Sequence, residues 1–167
     1  EEDPQARRIR TRYLVEAVAA LAEEGGMETA ETSFALGVLR YGQRWKNAPL
    51  AKSEAAFRRA IELRPDGPLP YNGLGLTLMY LERYEEAETA YRHAIQLAPN
   101  WSRPHNDLAV LLRHTNRLDE AEVEALIALS LEPDSVANNN NYGNVLLKRG
   151  GVEEAEAQYR KAIELDP

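Results

Sequence analysis

Apolar residues in this chain recur three or four positions apart, the spacing of one face of a helix, and proline, glycine or polar pairs interrupt them at short intervals. From the amino end, Asp3-Pro4 reads as a helix start, and Ile9, Tyr13, Leu14, Ala17, Val18 and Leu21 form one apolar stripe before Gly25-Gly26. A second helix is expected over residues 28–43, then a loop over 44–48 that contains Trp45. Pro49 opens a third helix through Leu63. Beyond Gly67 the pattern predicts six more helices in pairs, for about nine in all. Pro99, Pro133 and Pro167 stop the second helix of each pair, and Asp66, Asn100 and Asp134 are expected as turn or capping residues for the next.

The paired segments are copies of one unit. Tyr71, Leu74, Gly75, Leu78, Ala87, Tyr91, Ala94 and Pro99 return 34 positions later as His105, Leu108, Ala109, Leu112, Ala121, Ala125, Ala128 and Pro133. They return again as Asn139, Tyr142, Gly143, Leu146, Ala155, Tyr159, Ala162 and Pro167. Helices that cross closely need small residues at the crossing and large ones in the flanking gaps. Gly75, Ala109 and Gly143 are therefore expected on the first helix of each pair, facing Ala87, Ala121 and Ala155 on the second. Glycine in a helix costs about 0.5 to 1 kcal/mol relative to alanine, so its return suggests that close approach outweighs the loss.

A 34-residue period with this order of large, small, aromatic and proline positions resembles the tetratricopeptide repeat (TPR). The resemblance implies an all-α, right-handed solenoid of antiparallel helix pairs that serves as a binding surface and not as an enzyme. The expected organisation is one continuous domain. Residues 1–26 would form an amino-terminal amphipathic helix, 27–67 a divergent repeat with an extended inter-helix loop, and 68–101, 102–135 and 136–167 three regular repeats.

Phe57, Ala60 and Pro65 lie 34 before Tyr91, Ala94 and Pro99, which makes the third helix the second member of a pair. Its partner is out of register: 34 before Leu74-Gly75 stand Arg40-Tyr41, whereas the Leu-Gly pair stands at Leu36-Gly37, and a four-residue insertion in the turn would explain the shift. In the alternative frame, Leu14, Ala17, Val18, Leu21, Ala30 and Phe34 belong to a degenerate repeat starting near Thr11. At the other end Tyr159, Ile163 and Leu165 are expected on a stacking face with no further helix after it. Continuation of the natural protein is one reading of that face, and self-association through the open carboxyl-terminal repeat is another.

Composition narrows the chemistry. The 167 residues are 44% hydrophobic, carry a formal charge of −7 and include no cysteine, so there is no disulfide framework or thiolate metal site. The charge argues against nucleic acid as a partner. Arg7, Arg8, Arg10 and Arg12 form the one basic cluster, read as a solvated helix face or a docking patch for an acidic partner. No apolar run suits a membrane span and no signal-peptide pattern opens the chain, so a cytoplasmic, bacterial-like binding protein without membrane insertion is expected. No phosphate loop, nucleophile elbow or His-Glu-x-x-His pair occurs, and no metal or other cofactor is expected. His105 takes the packing place of Tyr71, His93 an outer surface and His114 the groove. The glutamates at 85, 86 and 88, and their counterparts in later repeats, suit helix amino termini better than acid–base catalysis.

The resemblance also implies that the first helices line a groove. The groove candidates are Asn72, Leu76, Met79 and Tyr80 in one repeat, and Arg103, Asn106, Val110, Arg113 and His114 in the next. Asn140, Asn141, Asn144 and Lys148 follow in the last. Asn72, Asn106 and Asn140 stand 34 apart, and an amide offers both the donor and the acceptor that an extended peptide backbone needs. The peptide-reading asparagines in the TPR lobe of a glycosyltransferase lie nearer the place of Asn141. Against a ladder stands the plain alternative that these asparagines are ordinary repeat sequence. Apolar Leu76, Met79 and Tyr80 beside cationic Arg103, Arg113 and Lys148 imply a protein or peptide partner that is acidic with an apolar segment. A carboxylate clamp is not expected, because its lysine and asparagine would fall on Phe34 and Val38. The substrate-reading lobe of a larger glycosyltransferase or sulfotransferase, and a self-assembling scaffold, are the competing readings.

Overall fold

The computed structural model describes residue 29 and residues 50–166. The amino-terminal helix, the helix expected over 28–43, the Trp45 loop and the register of the first repeat lie outside the described residues. Among the described residues there are seven helices and no strand: α1 (Leu50–Leu63), α2 (Pro68–Tyr80), α3 (Tyr84–Leu97), α4 (Ser102–His114), α5 (Leu118–Leu131), α6 (Val136–Arg149) and α7 (Val152–Leu165). First helices begin at 68, 102 and 136, and second helices at 84, 118 and 152, so the sequence period is also the structural one. α1 ends 34 residues before α3, as a second-type helix should.

The turn inside each pair has a common geometry. Glu82, Asn116 and Gly150, themselves 34 apart, all take positive φ, at 61°, 65° and 93°. This left-handed residue lets the next amide turn back on the first helix: Arg83 N donates to Leu78 O at 3.0 Å, Arg117 N to Leu112 O at 2.8 Å and Gly151 N to Leu146 O at 3.0 Å. Only the last of the three uses glycine. The turn between pairs departs from expectation, since the capping place falls one residue later than Asp66, Asn100 and Asp134. Gly67 and Trp101 cap α2 and α4 without a side-chain bond, whereas Ser135 Oγ accepts from Asn138 N at 3.3 Å.

Contacts divide the chain into two units, one ending at Arg83 and one beginning at Tyr84. In the first, α1 packs on α2. The buried Phe57 ring lies against Gly73, where a Cβ would come within 2.5 Å of Cε1. Gly73 is thus a point of close approach in this unit, and Gly75, two places on, is buried as well. In the second unit α3 packs on α4, α4 on α5 and α6, α5 on α6, and α6 on α7. Leu108, Ala109 and Leu112 meet Ala121, Ala125 and Ala128 in a core closed to water. Gly143 behaves as expected of a crossing residue, with its absent Cβ 2.7 Å from Cε1 of Tyr159.

Arginines in the turns, or in the case of Arg149 at the end of the first helix, reach back to the preceding second helix. Arg83 meets Glu54 at 2.7 Å, Arg117 meets Glu88 at 2.5 Å and Arg149 meets Glu122 at 3.1 Å, while the three glutamates are again spaced by 34. Burial pushes the Glu88 carboxyl up, but hydrogen bonds from Arg117 and then Arg92 outweigh it and hold the group below the usual carboxylate range. Glu85, Glu86, Asp119, Glu120, Glu153 and Glu154 occupy first turns, where the helix dipole favours them.

His105 does more than pack. Nδ1 lies 2.7 Å from Glu124 Oε2 and Nε2 lies 3.0 Å from the Pro99 carbonyl, with the side chain 7% exposed. Both partners are acceptors, so both are satisfied only by the doubly protonated ring. The Glu124 bond raises the His105 pKa against the opposing effect of burial. Asn139, at the same place one repeat on, reaches the Pro133 carbonyl at 2.9 Å and the Ser135 carbonyl at 2.8 Å.

Candidate functional site: the face of α4 and α6

Four consecutive asparagines open α6, and the helix divides them. Successive residues are rotated by about 100°, so neighbours in sequence cannot share one environment. Asn138 is buried and its Nδ2 donates to Ser102 Oγ and Ala128 O, both at 2.9 Å, and to Glu132 O at 3.2 Å. Asn139 is buried, held by the Pro133 and Ser135 carbonyls. Asn140 is exposed and Asn141 half-buried, and one turn further Asn144 and Lys148 continue the Asn141 stripe.

That stripe meets α4 at two points. Asn141 Nδ2 donates to Asn106 Oδ1 at 3.0 Å, and Lys148 Nζ donates to the Arg113 carbonyl at 2.8 Å. The structure therefore brings Asn106, Arg113, Asn141 and Lys148 together. Asn106 is buried, with its oxygen engaged, while Asn140, its counterpart in the repeat, is exposed: equal spacing has not produced equal surroundings. Asn144 Oδ1 accepts from the Tyr159 hydroxyl at 3.0 Å, which fixes the amide and directs its NH2 away from that bond. The sequence places Tyr159 at the repeating position of Tyr91 and on an end face, and its spacing of 15 from Asn144 carries no helical signal for this bond.

The charge on this face is cationic. Arg103 is exposed and Asp107 stands 3.8 Å from its Nε. Arg113 is half-buried, and its Nε is enclosed with no acceptor among the described residues. Val110 is half-buried between these groups in sequence, and Leu147 adds exposed apolar surface on α6. His114 is exposed at the end of α4, its ring centroid 5.2 Å from that of Tyr84 at a tilt of 41°. It stands beside the start of α3.

The remaining candidates belong to the first unit. Asn72 is buried on α2, Leu76 and Met79 are half-buried, and Tyr80 is exposed at the helix end. Among the described residues, no group of three or more His, Asp or Glu side chains is arranged to hold a metal ion, and no helix is long and apolar enough to cross a membrane.

Models of the tetratricopeptide repeat match residues 68–101 and 137–167. No curated protein matches the chain in sequence. Among solved structures, MamA MSR-1 C2 is 24% identical, with a TM-score of 0.68 over 95% of this chain and 94% of that one. A crystal structure of MamA is 17% identical, with a TM-score of 0.73 over 99% and 96%. YrrB, described as a TPR protein with an unusual peptide-binding site, is 18% identical, with a TM-score of 0.67 over 95% and 77%. At these identities the likeness is one of fold.

Proposed function

We propose that this chain, a tetratricopeptide-repeat protein and thereby a protein-interaction module in its general character, binds an extended acidic segment of a partner protein along the face of α4 and α6. The carrying observation is the division of the α6 asparagines. Two are committed to the core, while Asn140, Asn141 and Asn144 line a surface beside Arg103, Arg113 and Lys148. Asn141 spends its NH2 on Asn106 and keeps a carbonyl oxygen to accept with, whereas Asn144 spends its oxygen and keeps donors. Such a pair suits the alternating N–H and C=O of an extended backbone, and the cations suit carboxylates beside it. The peptide-binding site ascribed to YrrB supports the same direction.

The test titrates a pool of labelled acidic peptides with apolar segments against the full chain by fluorescence anisotropy. Each of Asn140→Ala, Asn141→Ala and Asn144→Ala should weaken binding by about 1 kcal/mol with little sequence preference. The combined Arg103→Ala, Arg113→Ala, Lys148→Ala variant should lose its preference for acidic peptides, and the wild-type preference should fade as salt rises. Binding that survives both the combined Asn140→Ala, Asn141→Ala, Asn144→Ala variant and the combined cationic variant would remove the site from this face.

A further inference from the structure

The second helices of this repeat are not alike on the side away from their partners. α3 carries Thr89, Arg92, His93 and Gln96 there, all exposed, and α7 carries Ala157, Arg160, Lys161 and Glu164. At the same four places α5 carries Val123, Leu126, Ile127 and Ser130. Val123 is 56% exposed and Leu126 44%, with Ile127 half-buried beside them. The four residues follow the i, i+3, i+4, i+7 rule and make one stripe about 10 Å long. The packing of the unit does not require them, since α3 holds the same places with polar side chains and α7 with an alanine and three charged ones.

We propose that this outer face of α5 docks a basic amphipathic helix of a partner protein. Its surroundings select the charge of the occupant. Between residues 117 and 134 the chain has six acidic residues, Asp119, Glu120, Glu122, Glu124, Glu132 and Asp134, against one basic residue, Arg117. The neighbouring cations are already engaged: Arg92 with Glu88 at 2.8 Å, Arg117 with Glu120 at 2.6 Å, Arg149 with Asp119 and Glu122, His105 with Glu124 at 2.7 Å and Lys161 with Asp134 at 3.9 Å, which leaves Glu132 and the outer faces of Asp119 and Asp134 to water. The Asp119 side chain, 93% exposed, stands at the start of the stripe, and the Asp134 side chain, 82% exposed, stands just beyond its end.

A shallow recess of about 340 Å³ opens beside the stripe, lined by Arg92, Asp119, Glu120, Val123 and Glu124. One apolar side chain between carboxylates fits a lysine or arginine, whose aliphatic stem covers Val123 while its head reaches Asp119 or Glu120. Leu126 and Ile127 then receive the apolar side chains of the same helix. A second copy of α5 suits this face poorly. Paired parallel or antiparallel, two α5 helices would bring acidic ends to acidic ends, in a chain whose formal charge is already −7.

The probe is a fluorescein-labelled synthetic peptide of about four turns, with leucine at helical spacing flanked by lysine, and a counterpart in which glutamate replaces every lysine. Anisotropy titrations use the full chain and a variant carrying Val123→Thr, Leu126→Arg and Ile127→His, the residues that α3 holds at those places. Its melting curve should match that of the wild type. The lysine peptide should bind the wild type, lose affinity as salt rises and bind the variant about tenfold more weakly, while the glutamate peptide should not bind. Equal affinity for wild type and variant, or equal binding of the two peptides, would overturn the proposal. So would a concentration-dependent wild-type mass in sedimentation that the variant loses, because the occupant would then be a second copy.

Discussion

The His105–Glu124 contact makes the stability of the second unit depend on pH in a direction fixed by its geometry. Both ring nitrogens face acceptors, at 2.7 Å and 3.0 Å, and little of either side chain is open to water. The pKa in the folded chain is raised, first by the bond to Glu124. An unfolded histidine titrates near 6.5, so the added stability is complete below about pH 6.5 and is lost as pH rises through the folded value. A charge-assisted hydrogen bond contributes about 1.5 to 3 kcal/mol, and the alkaline loss should be of that order. Urea unfolding at a series of pH values from about 6 to 9 measures it. His105→Asn installs the side chain that serves at Asn139, where an amide reaches the corresponding proline carbonyl without titrating. That variant should be less stable in mild acid yet lose little stability across the same range, and Glu124→Gln should flatten the profile similarly. Wild-type and His105→Asn profiles that run parallel would refute the reasoning, because the titrating group would then lie elsewhere.

Two further outcomes follow from packing and from buried hydrogen bonds. Gly73→Ala should cost about 1 to 3 kcal/mol in thermal melts, since its Cβ would meet the buried Phe57 ring at 2.5 Å, whereas Gly143→Ala should cost less because the half-buried Tyr159 ring can yield. Equal losses would mean that ring burial does not govern the tolerance. Asn138→Ala strips partners from Ser102 Oγ and the carbonyls of Ala128 and Glu132, and should lower the unfolding free energy by about 1 to 3 kcal/mol, read by urea titration.

The helix boundaries from Leu50 onward were legible because one period governs both the apolar places and the breaks between them. What the period does not reveal is the partner at each place. Tyr71, His105 and Asn139 share a position, yet the histidine forms an ion pair that depends on Glu124, a residue 19 positions away with no motif to announce it. Asn106 and Asn140 share another, and differ because Asn141 of the adjacent helix closes over the first. Gly73 escaped notice for the reverse reason. It has no counterpart in the other repeats, where Asp107 and Asn141 stand, so a search for recurrence passes it by. The outer face of α5 is likewise an exception within the repeat, visible only once the three second helices are compared side by side.

The backward-reaching arginines bear on how such a chain can lengthen. Each regular unit supplies one arginine to the helix before it and offers one glutamate to the arginine that follows: Arg117 is given to Glu88, and Glu122 is taken up by Arg149. Residues 102–135 thus carry one half of two different pairs, Arg117 and Glu122, five residues apart near the middle of a 34-residue cassette. If that cassette were copied in tandem, the new arginine would find Glu122 of the older copy, and the new glutamate would find Arg149. Insertion leaves no charge stranded at either junction. The same economy applies to deletion, which would return Arg149 to Glu88. An array joined this way can gain or lose a unit in one genetic step without first evolving a new interface, so its length is free to change while its surfaces diversify.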